Sequence, residues 1–432
     1  MLLGHDLTHG TSGPAIDQEK RPEKSGNINQ IIGWILQAGV ILSVALIILG
    51  IILLPTRPGG LSPERVLAFP QTFGEIWAGL LIKRPQSFIS VGLLLLIATP
   101  VVRVAISIVA FMLERDRKYV VITCVVLAIL LFSIISGTFN ASHQTAVNTF
   151  HFSFGIASLI FLGSLLAGLI GSLVGLGGGI MVVPMLTILF GLPISFAIGV
   201  SIISVIATSS GAAAAYVKDH LTNLRIGMFL ELATTLGAIS GAFVAGLLAP
   251  ALLGIIFGII LLASAVPLIA RLGEDMPQNV VNDRWATWLH LNSSYPDRQS
   301  GKTVSYQVTH TPWGLGMMYV AGLISGLLGI GSGTFKILAL DTFMKLPMKV
   351  SSTTSNLMIG VTAAASAGIY FSRGDIPPLV AAPVALGVLL GALIGARLLP
   401  RISNKALRLI FIPVVIIAAV EMILHGMGIG IF

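Results

Sequence analysis

Lys336 stands three residues after the glycines of "GLISGLLGIGSGTFKIL" (322–338), an ammonium group in an otherwise apolar stretch. A cation at membrane depth is costly and ordinarily has a partner or a task. Lys336 could attract or neutralise an anion, reach the surface by its own length, or pair with Asp341. Glu231 sits about two turns into another apolar segment, where a carboxylate could carry a coupling proton. Ser201, Ser204 and Thr208 recur at i, i+3 and i+7, one face of a helix, and Ser355, Asn356, Thr362 and Ser366 lie in a similar segment downstream. Hydroxyls and amides there can donate to an anion without fixing a charge, or bond back to their own helix. The histidines fall in loops or near segment ends with no metal spacing, and no nucleophile converges with a base. This pattern predicts no enzyme, no metal and no cofactor.

The phrase around Lys336 has an earlier twin, "GLIGSLVGLGGGIMVVP" (168–184). A shift of 154 residues (Gly179 onto Gly333) superposes Gly168, Gly175, Gly177 and Gly179 on Gly322, Gly329, Gly331 and Gly333. It also lays Ser201 on Ser355 and the pair Gly237 and Gly241 on Gly391 and Gly395. The segment is duplicated. Glycine admits positive φ and allows close helix approach. A helix broken at Gly175, Gly177, Gly178 and Gly179, and again at Gly329, Gly331, Ser332 and Gly333, opens backbone N–H groups that favour anions. Close packing alone is the competing explanation. No strand–helix–strand pattern surrounds these glycines, so a dinucleotide loop is excluded, and no Walker A sequence points to ATP.

The elements that must hold these residues are membrane helices. Of 432 residues, 55% are hydrophobic and 10% charged, far below the charge of an ordinary soluble domain. Apolar segments run from 28–54 to 408–425, and two of them, 178–190 and 334–346, are too short to cross alone. The net charge of +8 sits at the ends of apolar runs, which suits lipid headgroups and not nucleic acid. Counting every segment as a crossing with the N-terminus cytoplasmic places most Lys and Arg inside. The expected fold is an all-α polytopic membrane protein. A polar tail (1–27) and a three-span domain (28–151) precede a first five-segment repeat (152–270). A cytoplasmic linker (271–312) then leads to a second repeat (313–432). Five is odd, so the two copies are expected to be inverted, an architecture of secondary transporters. Residues 1–27 carry no apolar stretch and read as no cleavable signal. The expected place is the cell inner membrane, among lipid, with a homo-oligomer left open.

At these residues the chain resembles the TauE/SafE permease family, over roughly 152–425. The duplicated glycine motif, the "LP" at 192–193 and 346–347, and the Ser/Thr-rich third helix of each copy carry the likeness. The resemblance implies a transporter of small anions such as sulfite or organosulfonates, usually outward. A passive anion channel or facilitator is the alternative. Residues 28–137, with Pro100 and Arg103 inside an apolar run, resemble a separate three-span family of unassigned function.

Overall fold

The computed structural model describes residues 24–55, 69–70, 73–139, 154–174, 178–218, 222–270, 280–297, 302–398 and 404–429. The N-terminal part holds α1 (Lys24–Leu53), α2 (Phe73–Leu81), α3 (Pro85–Leu113) and α4 (Arg117–Phe139). The first half continues with α5 (Phe154–Val174), α6 (Gly179–Pro184), a π-helical turn Met185–Leu189, α7 (Ile194–Lys218), α8 (Leu224–Leu247) and α9 (Pro250–Ala270). A short helix α10 (Arg284–Trp288) and a hairpin of β1 (Ser293–Asp297) and β2 (Lys302–Tyr306) follow. The second half comprises α11 (Thr311–Leu328), α12 (Gly333–Leu338), a π-helical turn Ala339–Phe343, α13 (Met348–Ser372), α14 (Pro378–Leu398) and α15 (Asn404–Gly426). Among the described residues, six helical stretches are long and apolar enough to cross a membrane: Pro85–Leu113, Arg117–Ile135, Gly155–Ser172, Leu224–Leu247, Thr311–Leu328 and Pro378–Gly395. The protein is a multi-pass membrane protein.

The shift that superposes the glycine phrases also superposes the elements. It carries α6, its π-turn and α7 onto α12, its π-turn and α13 at both ends. Close approaches at glycine then fix the helix directions. Gly387, Gly391 and Gly395 sit against Phe161, Leu165 and Leu169 in turn, so α5 and α14 run parallel. Gly237 and Gly241 lie against Tyr319 and Leu323, so α8 and α11 also run parallel. The third helices are different. Gly199, near the start of α7, meets Asp375 beyond the end of α13, while Gly360 meets Ser209, so α7 and α13 are antiparallel. Gly254 beside Met422 and Gly258 beside Ala419 make α9 and α15 antiparallel as well. The third and the fifth helices of the two halves thus point in opposite senses, and the first helix of each half packs against the fourth of the other.

The N-terminal helices are not a detached layer. Ser43 of α1 donates to the Gly92 carbonyl at 2.6 Å, holding α1 on α3. Ser133 of α4 donates to Ala365 of α13 at 2.5 Å. Val104, Val126 and Leu130 form one buried cluster with Ala238, Val361 and Ala365, so α3 and α4 share a core with α8 and α13. Apolar contact and backbone hydrogen bonds are the main glue available where lipid is as apolar as the helix.

The hairpin is a departure from the all-helical expectation. The scattered charges and aromatics of 280–313 carry neither a long apolar run nor clean alternation, so nothing local marks a strand there. Asp283 caps α10 by accepting from the Ala286 N–H at 2.6 Å and also accepts from the Thr311 N–H at 2.6 Å, which ties the linker to the start of α11. Tyr119 donates to the Leu289 carbonyl at 2.8 Å, and Asn223 donates to Tyr306 at 2.9 Å, so the linker rests on the α3–α4 turn and the start of α8. Arg225 closes the same corner with Asp116 at 3.1 Å and Glu114 at 3.7 Å.

The turn after α13 contains one perturbed carboxyl. Burial pushes Asp375 up to about 6, against the opposing pull of Arg373. A raised carboxyl pKa means that the folded chain holds the proton more tightly than the unfolded chain does. Its penalty is absent below the unfolded value and grows as pH rises through about 6. Asp375→Asn is therefore expected to raise the thermal midpoint at pH 7.5, with a gain that shrinks steadily as the pH is lowered towards 4; a gain independent of pH would contradict the assignment.

Candidate functional site

The two glycine phrases meet where α7 crosses α13. In the second copy, α11 ends as Gly329 turns left-handed at φ 67°, and Gly331 and Ser332 follow at 72° and 49°. Three such residues in four stop the helix, and α12 restarts at Gly333. Gly331 packs between Val205 and Ile359, which occupy equivalent positions in α7 and α13. In the first copy α6 restarts at Gly179, and Gly179 lies against Ser201, Val205 and the Gly329 carbonyl. The two breaks therefore touch. Gly175 and Gly177 lie outside the described residues.

The serines stitch this junction. Ser201 Oγ lies 2.8 Å from the Gly329 carbonyl and 3.2 Å from the Gly179 carbonyl, so its one proton is shared between the two copies. Ser355 repeats the contact more loosely, 3.5 Å from Gly333 O. Ser204 and Thr208 do something else. Ser204 donates to the Ser201 carbonyl at 2.7 Å, and Thr208 to the Ser204 and Val205 carbonyls at 3.0 Å. Both hydroxyls are spent on their own helix. Asn356 is buried beside Ser355 on α13, and Ser332 Oγ is buried with no hydrogen-bond partner. Ser201→Ala leaves two buried carbonyls short of a donor. The expected result is a loss of about 1–2 kcal/mol in thermal or denaturant unfolding; unchanged stability would show the contact to be idle.

The charged residues converge one turn away. Lys336 Nζ donates to Thr362 Oγ1 at 2.5 Å, and Thr362 Oγ1 lies 2.7 Å from Glu231 Oε1. The Thr362 hydroxyl is also 2.9 Å from the Met358 carbonyl. It has one proton and two acceptors, so its donation can pass between the carboxylate and its own helix. Lys336 and Glu231 come from different halves, α12 and α8, and Thr362 of α13 joins them. All three are essentially inaccessible to solvent, Lys336 at 0% and Glu231 at 1% exposure. Val182 holds the position in the first copy that Lys336 holds in the second, so the charge is placed on one side only.

The sequence picked out Lys336 and Glu231 separately and noted Thr362 only as part of a polar face. The bridge itself was not legible, because it joins residues far apart in the chain. A fourth member comes from the N-terminal helices. Arg103 of α3 is buried at 1% exposure, donates through Nη1 to the Leu357 carbonyl of α13 at 3.0 Å, and lies within electrostatic range of Glu231. Its signal was present as an arginine, three residues after a proline, within an apolar run. Among the described residues, no group of three or more His, Cys, Asp or Glu converges as a metal site would require.

Residues 160–422 match the family described as Sulfite exporter TauE/SafE, which spans more than half of the chain and both halves of the fold. The chain belongs to the TauE/SafE family. Residues 32–135 match a second family, described as a protein of unknown function (DUF1634). Similar curated proteins agree with the first match. The chain is 27% identical over 275 residues to the probable membrane transporter protein YunE of Bacillus subtilis, covering 62% of this chain and 97% of that protein. It is 27% identical to the probable membrane transporter protein YdhB of the same organism, over 53% of this chain and 84% of the relative. It is 24% identical to the probable membrane transporter protein MJ0441 of Methanocaldococcus jannaschii, over 60% of this chain and 92% of the relative. No solved structure matches the chain. This TauE/SafE protein is a membrane transporter, not an enzyme.

Proposed function

We propose that the chain is a secondary transporter, working as an exporter, of a small anion such as sulfite or an organosulfonate. The observation that carries this reading is the Lys336–Thr362–Glu231 bridge, which spans both halves beside two touching helix breaks. A buried ammonium is a ready partner for an anion, and the carboxylate across from it is a ready carrier of a proton. The site residues in this reading are Lys336, Thr362 and Glu231, framed by Gly178, Gly179, Gly329, Gly331, Ser332, Gly333, Ser201 and Ser355. Ser204 and Thr208 hold their helix instead of meeting substrate, because their hydroxyls already have acceptors.

Opposed helix directions in the two halves suit alternating access, with one half rocking against the other around the buried charges. Lys336, Thr362 and Glu231 are shut off from solvent, so solute entry requires such a movement. In this reading the N-terminus lies on the cytoplasmic side of the cell inner membrane, an orientation supported by the Lys and Arg at the corner formed by the α3–α4 turn, the start of α8 and the linker.

The test is uptake of labelled sulfite into vesicles reconstituted with the full chain, with and without a pH gradient. Accumulation above the outside concentration, driven by the gradient, is the expected result. Flux that stops at equal concentrations would favour a passive channel. No flux of sulfite or of any sulfonate would remove the substrate assignment.

A further inference from the structure

The N-terminal helices match a family whose description assigns no function, yet one of them reaches the charged centre. Arg103 belongs to α3, and Pro100 just before it packs on Gly360 of α13. One guanidinium nitrogen, Nη1, is held by the Leu357 carbonyl. The other two, Nε and Nη2, are buried and have no hydrogen-bond partner. They lie on one edge of the guanidinium, where their N–H groups form a fork that fits two oxygens of an oxyanion. The carbonyl that fixes Arg103 is one residue from Met358, whose carbonyl shares the Thr362 hydroxyl with Glu231.

The charges do not balance. Arg103 and Lys336 bring two positive charges into the buried centre, and Glu231 brings one negative charge. A surplus cation without water is expensive, and a guanidinium with two unused donors more so. An anionic solute cancels both costs at once. The first copy has no lysine in the equivalent place, so the second cation comes from outside the duplicated unit.

We infer that Arg103 is an anion-binding residue of the transport site, presenting Nε and Nη2 to the oxygens of a sulfite-like or sulfonate-like solute, so that the N-terminal domain supplies part of the site. This rests on the transport reading above. It gives the N-terminal domain a task. Without it, the duplicated unit retains Lys336 and Glu231, whose charges cancel.

The test is calorimetric titration of sodium sulfite into the full chain in detergent, with the thermal midpoint of each variant recorded in the absence of sulfite. Arg103→Gln is expected to weaken sulfite binding by at least about tenfold, the scale of one hydrogen-bonded charge. Arg103→Lys keeps the charge, loses the fork and is expected to fall between the two. The double variant Arg103→Gln with Glu231→Gln restores the net charge of the centre and is expected to regain part of the lost affinity, which a merely structural arginine would not do. Wild-type affinity in Arg103→Gln overturns the inference. Should Arg103→Gln not fold, Arg103→Lys decides: weaker binding supports the inference, and unchanged binding overturns it. Sulfite binding that is lost in Lys336→Met but intact in Arg103→Gln overturns this inference alone, whereas a wild-type chain that binds no sulfite overturns it together with the transport reading.

Discussion

Lys336→Met is expected to weaken sulfite binding by at least about a hundredfold and to abolish uptake into vesicles, since truncating one member of a buried, hydrogen-bonded charge set costs roughly 2–5 kcal/mol. The lysine is the only ionisable residue on α12, and its ammonium is fixed by Thr362. Methionine keeps an unbranched apolar stem, one atom shorter, and removes the charge and its donors. The substitution also leaves Glu231 with Arg103 as its remaining nearby cation, so some loss of stability accompanies it. Adding Glu231→Gln to Lys336→Met removes the stranded carboxylate. The double variant is expected to recover stability without recovering binding. Glu231→Gln alone separates the two roles proposed for the pair. It keeps the cation, so sulfite still binds, but the carboxyl can no longer gain and lose a proton, so the pH gradient no longer drives accumulation. Calorimetry, thermal unfolding and gradient-driven uptake on the same four proteins check each part.

Gly326→Val is expected to prevent the protein from accumulating in a folded form. Any Cβ at Gly326 would fall inside the carbonyl of Ala238 on the facing helix, and the same holds for Gly322 against Thr234. From the other side, Gly237 and Gly241 press on Tyr319 and Leu323. Four glycines thus set the spacing of α8 and α11, the helices that carry Glu231 and lead to the second break. The clash is with backbone, which cannot rotate away, so the two helices must separate. The packing they lose is the main attraction available between helices in lipid. Overpacking of a core commonly costs about 1–3 kcal/mol, and a backbone clash lies at or above the top of that range. Tyr370 adds to the cost, because its hydroxyl donates to the Gly326 carbonyl at 2.9 Å. The control lies in the same helix. Gly316 has nothing within 4 Å of where a Cβ would stand, so Gly316→Ala is expected to be neutral or slightly stabilising. Yield after size-exclusion chromatography and the thermal midpoint distinguish the two; equal behaviour of both variants would contradict the packing account.

Much of this was written plainly in the chain. Glycine spacing and apolar length are local properties, so the duplicated phrases, their register and the short segments after them could be read one residue at a time. The ends of α6, α7, α12 and α13 keep that register. Lys336 and Glu231 were conspicuous because an ionisable group stands out against an apolar run. What was not legible depends on contact between distant parts of the chain. Ser201, Ser204 and Thr208 look alike on a helical wheel, yet one hydroxyl reaches both glycine breaks and the others bond back to α7. Thr362 gave no sign of bridging two charges until α8, α12 and α13 were brought together. Arg103 could be recognised as unusual, but its neighbours come from a helix some 250 residues later, at Leu357. The hairpin at 293–306 escaped because its strands are short and mixed in polarity, and they are held in place by their own pairing and by Asn223, which donates to Tyr306.

Selenite is the pyramidal, heavier analogue of sulfite, and its selenium can be located by anomalous scattering. Crystals of the full chain grown or soaked with selenite provide the most direct measurement of where the anion sits. The account predicts a selenium peak within hydrogen-bonding reach of the Lys336 ammonium, beside Thr362, that is absent in Lys336→Met. A peak elsewhere in the protein, or one that survives the loss of Lys336, would contradict it.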